Sequence, residues 1–379
     1  YAIVHLLMAV FGLERIIYHV NWLIWDSKLK GIEVTLDKIK IAVVGCGRIS
    51  EKHFESIDQH KNYLKLVALC DINQTVLEEH SVKYSVEGYA SMSEMLDSVD
   101  IDIVVICTPS GVHSDQTVLA AEHGTHVITE KPMATRWSDG LNMVRACDKA
   151  GVKLFVVKQN RKNSTLQLLK RAISEKRFGK IYMVHLNVFW TRPQEYYDSA
   201  KWRGTWELDG GAFMNQASHY IDLIDWLIGP VDSIQAMTAT LARDIEVEDT
   251  GVMNIRWRSG TLGSMNVTML TYPKNYEGSI TIIGEKGTVR VGGVAVNEIE
   301  KWEFEDRQDY DEQVENASYE TTSVYGFGHP LYYKNVIDVL QGKAEPETDG
   351  REGLKSLEIL IAAYLSARDG RTISLPLEY

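Results

Sequence analysis

Ile41-Ala42-Val43-Val44-Gly45-Cys46-Gly47-Arg48-Ile49-Ser50 is the stretch that decides the fold. An apolar run ends in two glycines one residue apart, and a small polar residue follows three positions later. A buried strand that enters a helix through such a turn is a dinucleotide-binding fingerprint. Gly45 permits the tight turn, and Gly47 lets the backbone approach a pyrophosphate at the helix N-terminus. Ser50 stands where a third glycine is usual and is small enough for close packing. A second strand at 64–70 ends at Asp71. A carboxylate there suits ribose hydroxyls and repels a 2′-phosphate, so NAD is expected rather than NADP. Thr108 and Pro109 end a further strand, at the edge where open α/β sheets hold their ligands.

Around the fingerprint the chain alternates. Strands are expected at 39–44, 64–70, 101–107, 125–129 and 152–157, and helices at 48–58, 113–123 and 136–150. Ser91 and Glu94 form a capping box that opens another helix. Repeated units of this size build a doubly wound parallel sheet. After Lys158 the texture changes. Alternating runs at 181–190, 231–241, 251–258, 261–270, 279–283 and 288–291 are separated by glycine-containing turns, and read as a largely antiparallel sheet. Helices fit 164–175, 220–228 and 354–368, with a short strand at 372–377. The expected class is α/β: an NAD-binding Rossmann domain over 38–157, then an α+β substrate-binding and oligomerisation domain over 158–379.

Composition narrows the function. The chain has 379 residues and a formal net charge of −12, which argues against nucleic-acid binding, a task that needs a basic footprint. Cys46, Cys70, Cys107 and Cys147 form no CxxC pair, so no metal is expected and the thiols read as reduced and cytoplasmic. Residues 1–37 stand apart as a leader of unclear role. Ala2 to Trp25 is mostly apolar but interrupted by Glu14, Arg15, His5 and His19. A secretory signal is a poor fit and an uninterrupted membrane span is too short. A leader unrelated to function and an interfacial anchor both remain open.

Two further motifs carry chemistry. Thr129-Glu130-Lys131-Pro132 places a lysine at the end of a parallel strand, on the ligand-binding edge. Pro132 restricts the backbone there. In the stretch from Asp209 to Asp222, Asn215 and His219 stand four apart, a spacing that brings side chains together on a helix. Histidine is the side chain suited to taking a proton near neutral pH.

Together these motifs resemble the glucose–fructose oxidoreductase/inositol dehydrogenase (Gfo/Idh/MocA) family, over nearly all of 38–379. The resemblance implies that Lys131 and His219 flank a reacting carbinol. Asn215 stands where the family usually has aspartate, a departure that leaves the proton route open between His219 and Lys131. It also implies a cofactor set of Gly45, Gly47, Arg48, Ile49, Asp71, Thr108, Pro109, His113, Glu130 and Lys131. The segments 158–163, 189–197, 202–206 and 325–330 are similar to one branch, the bacterial UDP-N-acetylglucosaminuronate 3-dehydrogenases of lipopolysaccharide O-antigen synthesis. That likeness implies NAD-dependent oxidation of a sugar C3′ hydroxyl, a step towards diacetamido uronic acids. A UDP-sugar uronate is anionic, and Lys158, Arg161, Arg192 and Arg203 could meet it. Asn163, Tyr196, Tyr197, Asn215 and His219 complete the implied substrate set. The family pairs its second-domain sheets, so a homotetramer is expected. Two alternatives stay open: a dehydrogenase of another sugar or inositol, and a non-catalytic NAD-binding regulator.

Overall fold

The computed structural model describes residues 37–321 and 326–377. The expectations for the leader, and Tyr325, lie outside the described residues. From Ile39 onward the chain forms one compact unit built on two sheets. Among the described residues no helix is long and apolar enough to cross a membrane.

The first sheet has six parallel strands: β1 (Ile39–Val44), β2 (Leu64–Cys70), β3 (Glu87–Tyr89), β4 (Ile103–Ile106), β5 (His126–Thr129) and β6 (Leu154–Val156). Their order is β3-β2-β1-β4-β5-β6. The chain therefore reverses its winding between β1 and β4, and the crevice beyond their C-terminal ends is where such a sheet binds ligands. β4 is wholly buried, which is why it reads as a continuous apolar run rather than an alternating one. Helices at Ser50–Gln59, Gln74–Tyr84, Met92–Ser98, His113–Glu122 and Trp137–Ala150 provide the crossovers. Ser91 accepts the Glu94 N–H, as its capping position requires.

The second sheet has eight strands: β7 (Ile181–Phe189), β8 (Val231–Ala239), β9 (Thr250–Trp257), β10 (Leu262–Thr268), β11 (Glu277–Gly284), β12 (Gly287–Gly292), β13 (Glu298–Phe304) and β14 (Ile373–Ser374). The order is β13-β12-β11-β7-β10-β9-β8-β14. All neighbours are antiparallel except β7 and β10. One face is covered by the helices Gly350–Asp369 and Ser218–Ile228. The opposite face is a register of mixed character: Met183 and His185 on β7 stand beside Leu262 and Ser264 on β10, which stand beside Arg256 and Asn254 on β9. Two strands were not legible beforehand, nor were the helices Gln74–Tyr84 and His329–Leu340. β3 has only three residues, and β13 is a highly charged edge strand.

Gly263 lies in β10 opposite Val184, and a Cβ there would come 2.3 Å from the Val184 carbonyl oxygen and 2.7 Å from the Trp257 ring. Backbone cannot yield as a flexible side chain does. Gly263→Ala is expected to destabilise the fold by about 1–3 kcal/mol, read as a lower urea midpoint with an unchanged slope; an unshifted midpoint would contradict this packing.

Candidate active site

A cleft of about 900 Å³ opens at the C-terminal edge of the parallel sheet. The first sheet lines it with Gly45, Gly47, Arg48, Ile49, Asp71, Thr108, Pro109, Glu130 and Lys131. The second half of the chain adds Trp190, Arg192, Tyr196, Trp202, Arg203, Asn215, Gln216, His219 and Asn275.

The glycine turn is built as its sequence requires. Gly45 has φ +88°, and a Cβ on it would lie 2.9 Å from the backbone of Cys107 and Thr108. A Cβ on Gly47 would meet nothing within 4 Å, so the backbone there borders open space that an anion can approach. Ser50 is fully buried and its hydroxyl donates to the Gly47 carbonyl at 2.6 Å. The Asp71 carboxylate accepts the Cys46 N–H and the Asn73 N–H, both at 2.7 Å. His113 does not line the cleft. It is fully buried at the start of its helix, with ring nitrogens 2.9 Å from the Thr108 carbonyl and 3.1 Å from that of Pro132. It braces two strand ends from behind and is corrected from a cofactor contact to a support.

Lys131 follows β5 and precedes a cis-proline bond. Its Nζ donates to the Asn215 carbonyl at 3.2 Å. Burial lowers the lysine pKa, and the Glu130 and Asp209 carboxylates oppose that fall. Glu130 itself is buried, accepts the Lys131 N–H at 3.0 Å and lies 3.1 Å from His53 Nε2. Burial pushes its pKa up, but the neighbouring His329 and His53 outweigh this and hold the carboxyl well below its ordinary value.

Asn215 sits in a π-helical turn, Ala212–Gln216, that runs through Ala217 into the helix Ser218–Ile228. Its spacing from His219 thus spans a junction rather than one regular helix, yet both residues line the cleft. His219 is buried, and burial followed by the nearby Lys131 pushes its pKa well below the ordinary value. The imidazole is therefore neutral near pH 7. Its Nε2 lies 3.1 Å from Gln159 Nε2, and its Nδ1 has no partner among the described residues. The Asn215 side chain donates to Asp209 Oδ1, and Asp209 Oδ2 accepts the Gly204 N–H at 2.7 Å.

Four of the expected substrate contacts lie elsewhere. Lys158 is buried, donates to Ser356 Oγ at 2.6 Å and stands 3.5 Å from Asp222. Arg161 grips Asp222 with two 2.7 Å bonds and reaches Glu352 at 3.1 Å. A buried cation must be paired, and this pairing consumes both side chains. Asn163 is buried away from the cleft. Tyr197 is buried edge-on against Tyr196, with ring centroids 5.1 Å apart. Arg192, Tyr196 and Arg203 do reach the cleft. Arg203 Nη1 donates to Tyr196 Oη at 2.6 Å and Gln216 Nε2 does so at 3.1 Å, while Arg192 Nε donates to Gln216 Oε1 at 2.9 Å.

Residues that sequence reasoning missed are Gln159, Asp209, Gln216 and Asn275. The first three lay within motifs already singled out, whereas Asn275 lies in the β10–β11 loop and carries no local signal. Glu248 was missed as well. Its main-chain oxygen and its carboxylate accept the Ala212 and Phe213 N–H groups at 3.0 and 2.9 Å, so it holds the first turn of the Asn215 segment.

Residues 39–158 match the model of the oxidoreductase family NAD-binding Rossmann fold, and residues 170–375 match that of the oxidoreductase family C-terminal alpha/beta domain. The WlbA dehydrogenase of Chromobacterium violaceum, solved with NADH and UDP-GlcNAcA, is 65% identical, with a TM-score of 0.88 over 91% of this chain and 98% of that one. The WlbA dehydrogenase of Bordetella pertussis, solved with the same two molecules, is 62% identical, with a TM-score of 0.89 over 91% and 100%. Among curated relatives, myo-inositol 2-dehydrogenase of Thermotoga maritima is 25% identical, over 89% of this chain and 98% of its own.

Burial raises the Glu248 pKa to about 7. The folded protein then holds a proton that the unfolded chain has released, so stability falls as pH rises from about 4.5 to about 7. Glu248→Gln is expected to remove that decline: equal to the parent at pH 4.5 and more stable by up to about 3 kcal/mol at pH 8. Urea denaturation at the two pH values checks this, and a pH-independent difference would overturn it.

Proposed function

The chain belongs to the Gfo/Idh/MocA oxidoreductase family, and on that premise we propose that it oxidises the C3′ hydroxyl of UDP-N-acetylglucosaminuronic acid with NAD as hydride acceptor. The observation that carries the proposal is the meeting of Lys131, Asn215 and His219 in the same cleft as the turn from Gly45 to Ile49. The turn fits the cofactor on its own terms: Gly47 faces open space, and Asp71 stands beside it with carboxylate oxygens able to take further hydrogen bonds. When bound, NAD supplies the acceptor for the hydride leaving C3′.

The protein's own residues handle the proton and the charge. His219 is neutral, so it can take the hydroxyl proton. Lys131 directs its ammonium at the same oxygen and stabilises the alkoxide that develops as the hydride departs. Its lowered pKa also suits it to pass a proton on. Arg192, Arg203 and Arg48 line the cleft of a protein that is acidic overall, and they give an anionic substrate its counter-charges, with Tyr196 fixed between Arg203 and Gln216. The Lys158–Asp222–Arg161 cluster serves the reaction indirectly, by holding the helix that bears His219.

The branch resemblance supports a role in making diacetamido uronic acids. Four buried cysteines without disulfides suit a cytoplasmic setting. Assembly as a tetramer is supported by the exposed Met183, Leu262, Val252, Met237 and Ile283 on the second sheet.

A panel of UDP-sugars and free inositols with NAD⁺, read at the NADH absorbance band, is expected to give turnover with UDP-N-acetylglucosaminuronate and none with inositol. Reversed preferences would refute the substrate, and no turnover with any compound would favour a regulator. Lys131→Met is expected to lower kcat by about 10²–10⁴-fold with KM changed only a few-fold; near-normal turnover would remove Lys131 from the chemistry.

A further inference from the structure

Lys131 faces the cleft with an ammonium whose hydrogen-bond partner is a neutral carbonyl, that of Asn215. An ammonium in such surroundings loses its proton readily unless a carboxylate lies close. Glu130 is adjacent in sequence, but its oxygens are engaged by His53 and by the Lys131 main chain. The other acid that reaches Lys131 is Asp209, which is 1% exposed and whose oxygens are held by the Asn215 side chain and the Gly204 N–H.

We infer that Asp209 is a positioning residue that acts on Lys131 through Asn215: its carboxylate orients the Asn215 side chain, fixes the carbonyl that receives the lysine, and supplies the negative charge that keeps the ammonium protonated. Both contacts are made by the one residue: Asn215 Nδ2 donates to Asp209 Oδ1, and the Asn215 main-chain carbonyl accepts from Lys131 Nζ. Gly210, at φ +80°, makes the turn that brings Asp209 back onto Asn215. Asp209 faces Lys131 from the end of β5, and Arg203 and Tyr197 from the segment after β7. Burial raises its pKa to about 6, against the Gly204, Asn215, Arg203 and Lys131 groups that lower it. It is therefore ionised at neutral pH and protonated in mild acid, where its hold on Lys131 lapses.

The inference rests on the reading of Lys131 as catalytic, and its deciding readout needs no substrate. Competitive labelling of the free protein with acetic anhydride, with Lys131 read by peptide mass spectrometry, gives the fraction of free amine at each pH. Asp209→Asn is expected to move the Lys131 labelling midpoint down by about one pH unit, a tenfold change at fixed pH, and to lower kcat more than it alters KM. The swap Asp209→Asn/Asn215→Asp returns a carboxylate beside Lys131 and is expected to restore the midpoint. A merely loosened fold would raise labelling at every pH without moving the midpoint, and that result overturns the inference, as does an unmoved profile. If D209N fails to fold, the swap decides: a midpoint at the parent's value supports the inference and a lowered one overturns it. Wild-type inactivity on UDP-sugars would count against the proposed substrate and leave this measurement intact.

Discussion

Arg161, Lys158, Asp222 and Glu352 are held together largely out of water, and the position of His219 depends on their pairing. Asp222 lies three residues beyond His219 on the same helix, so the two bonds from Arg161 fix that helix against the segment that follows β6. The coupling joins the two sheets, because Lys158 and Arg161 come just after the last parallel strand while Asp222 belongs to the second half. Removing one partner would leave an unpaired buried charge, which costs far more than the pair contributes net. The arrangement is better understood as geometry than as a source of stability.

The same condition governs the cleft itself. Glu130, Lys131 and Asp209 are ionisable, largely enclosed, and within reach of one another. Their charges set which groups hold protons at neutral pH. Burial, with Lys131 and Lys158 nearby, drives His219 neutral. A neutral imidazole and a cationic amine are thus kept apart by environment, the kind of separation on which acid–base sites are built. The parallel sheet contributes Glu130 and Lys131 to this system and the Ala212–Gln216 turn contributes Asn215, with Glu248 holding the turn at Ala212 and Phe213.

Much of this was legible in the sequence where the signal is local. The fingerprint at Gly45 and Gly47, Asp71 at a strand end and Lys131 at another all follow from short patterns with a definite backbone meaning, and both sheets could be placed from their periodicity. The cationic residues show where that reading stops. Lys158 and Arg161 look like anion ligands in a linear chain, but a charge does not announce its partner. Asp222 is 61 residues from Arg161 and Glu352 is 191 away, so only the folded chain reveals that these side chains are already engaged. Asn215 has the opposite history. Its substitution for aspartate looked like a missing charge, and the turn at Gly210 brings a carboxylate back to it from six residues upstream.

Asp71 carries a consequence for engineering. Its place at the end of β2 suits it to accept ribose hydroxyls, and the usual way to admit a 2′-phosphate is to exchange such an acid for a neutral or basic residue. Here the carboxylate also receives the Cys46 N–H inside the glycine turn and the Asn73 N–H that starts the next helix. Exchanging it would release both backbone groups and loosen the turn that must cradle either cofactor. The side chain suited to the ribose is therefore also the one that shapes the loop, and an exchange there calls for a second substitution that caps Cys46 by other means.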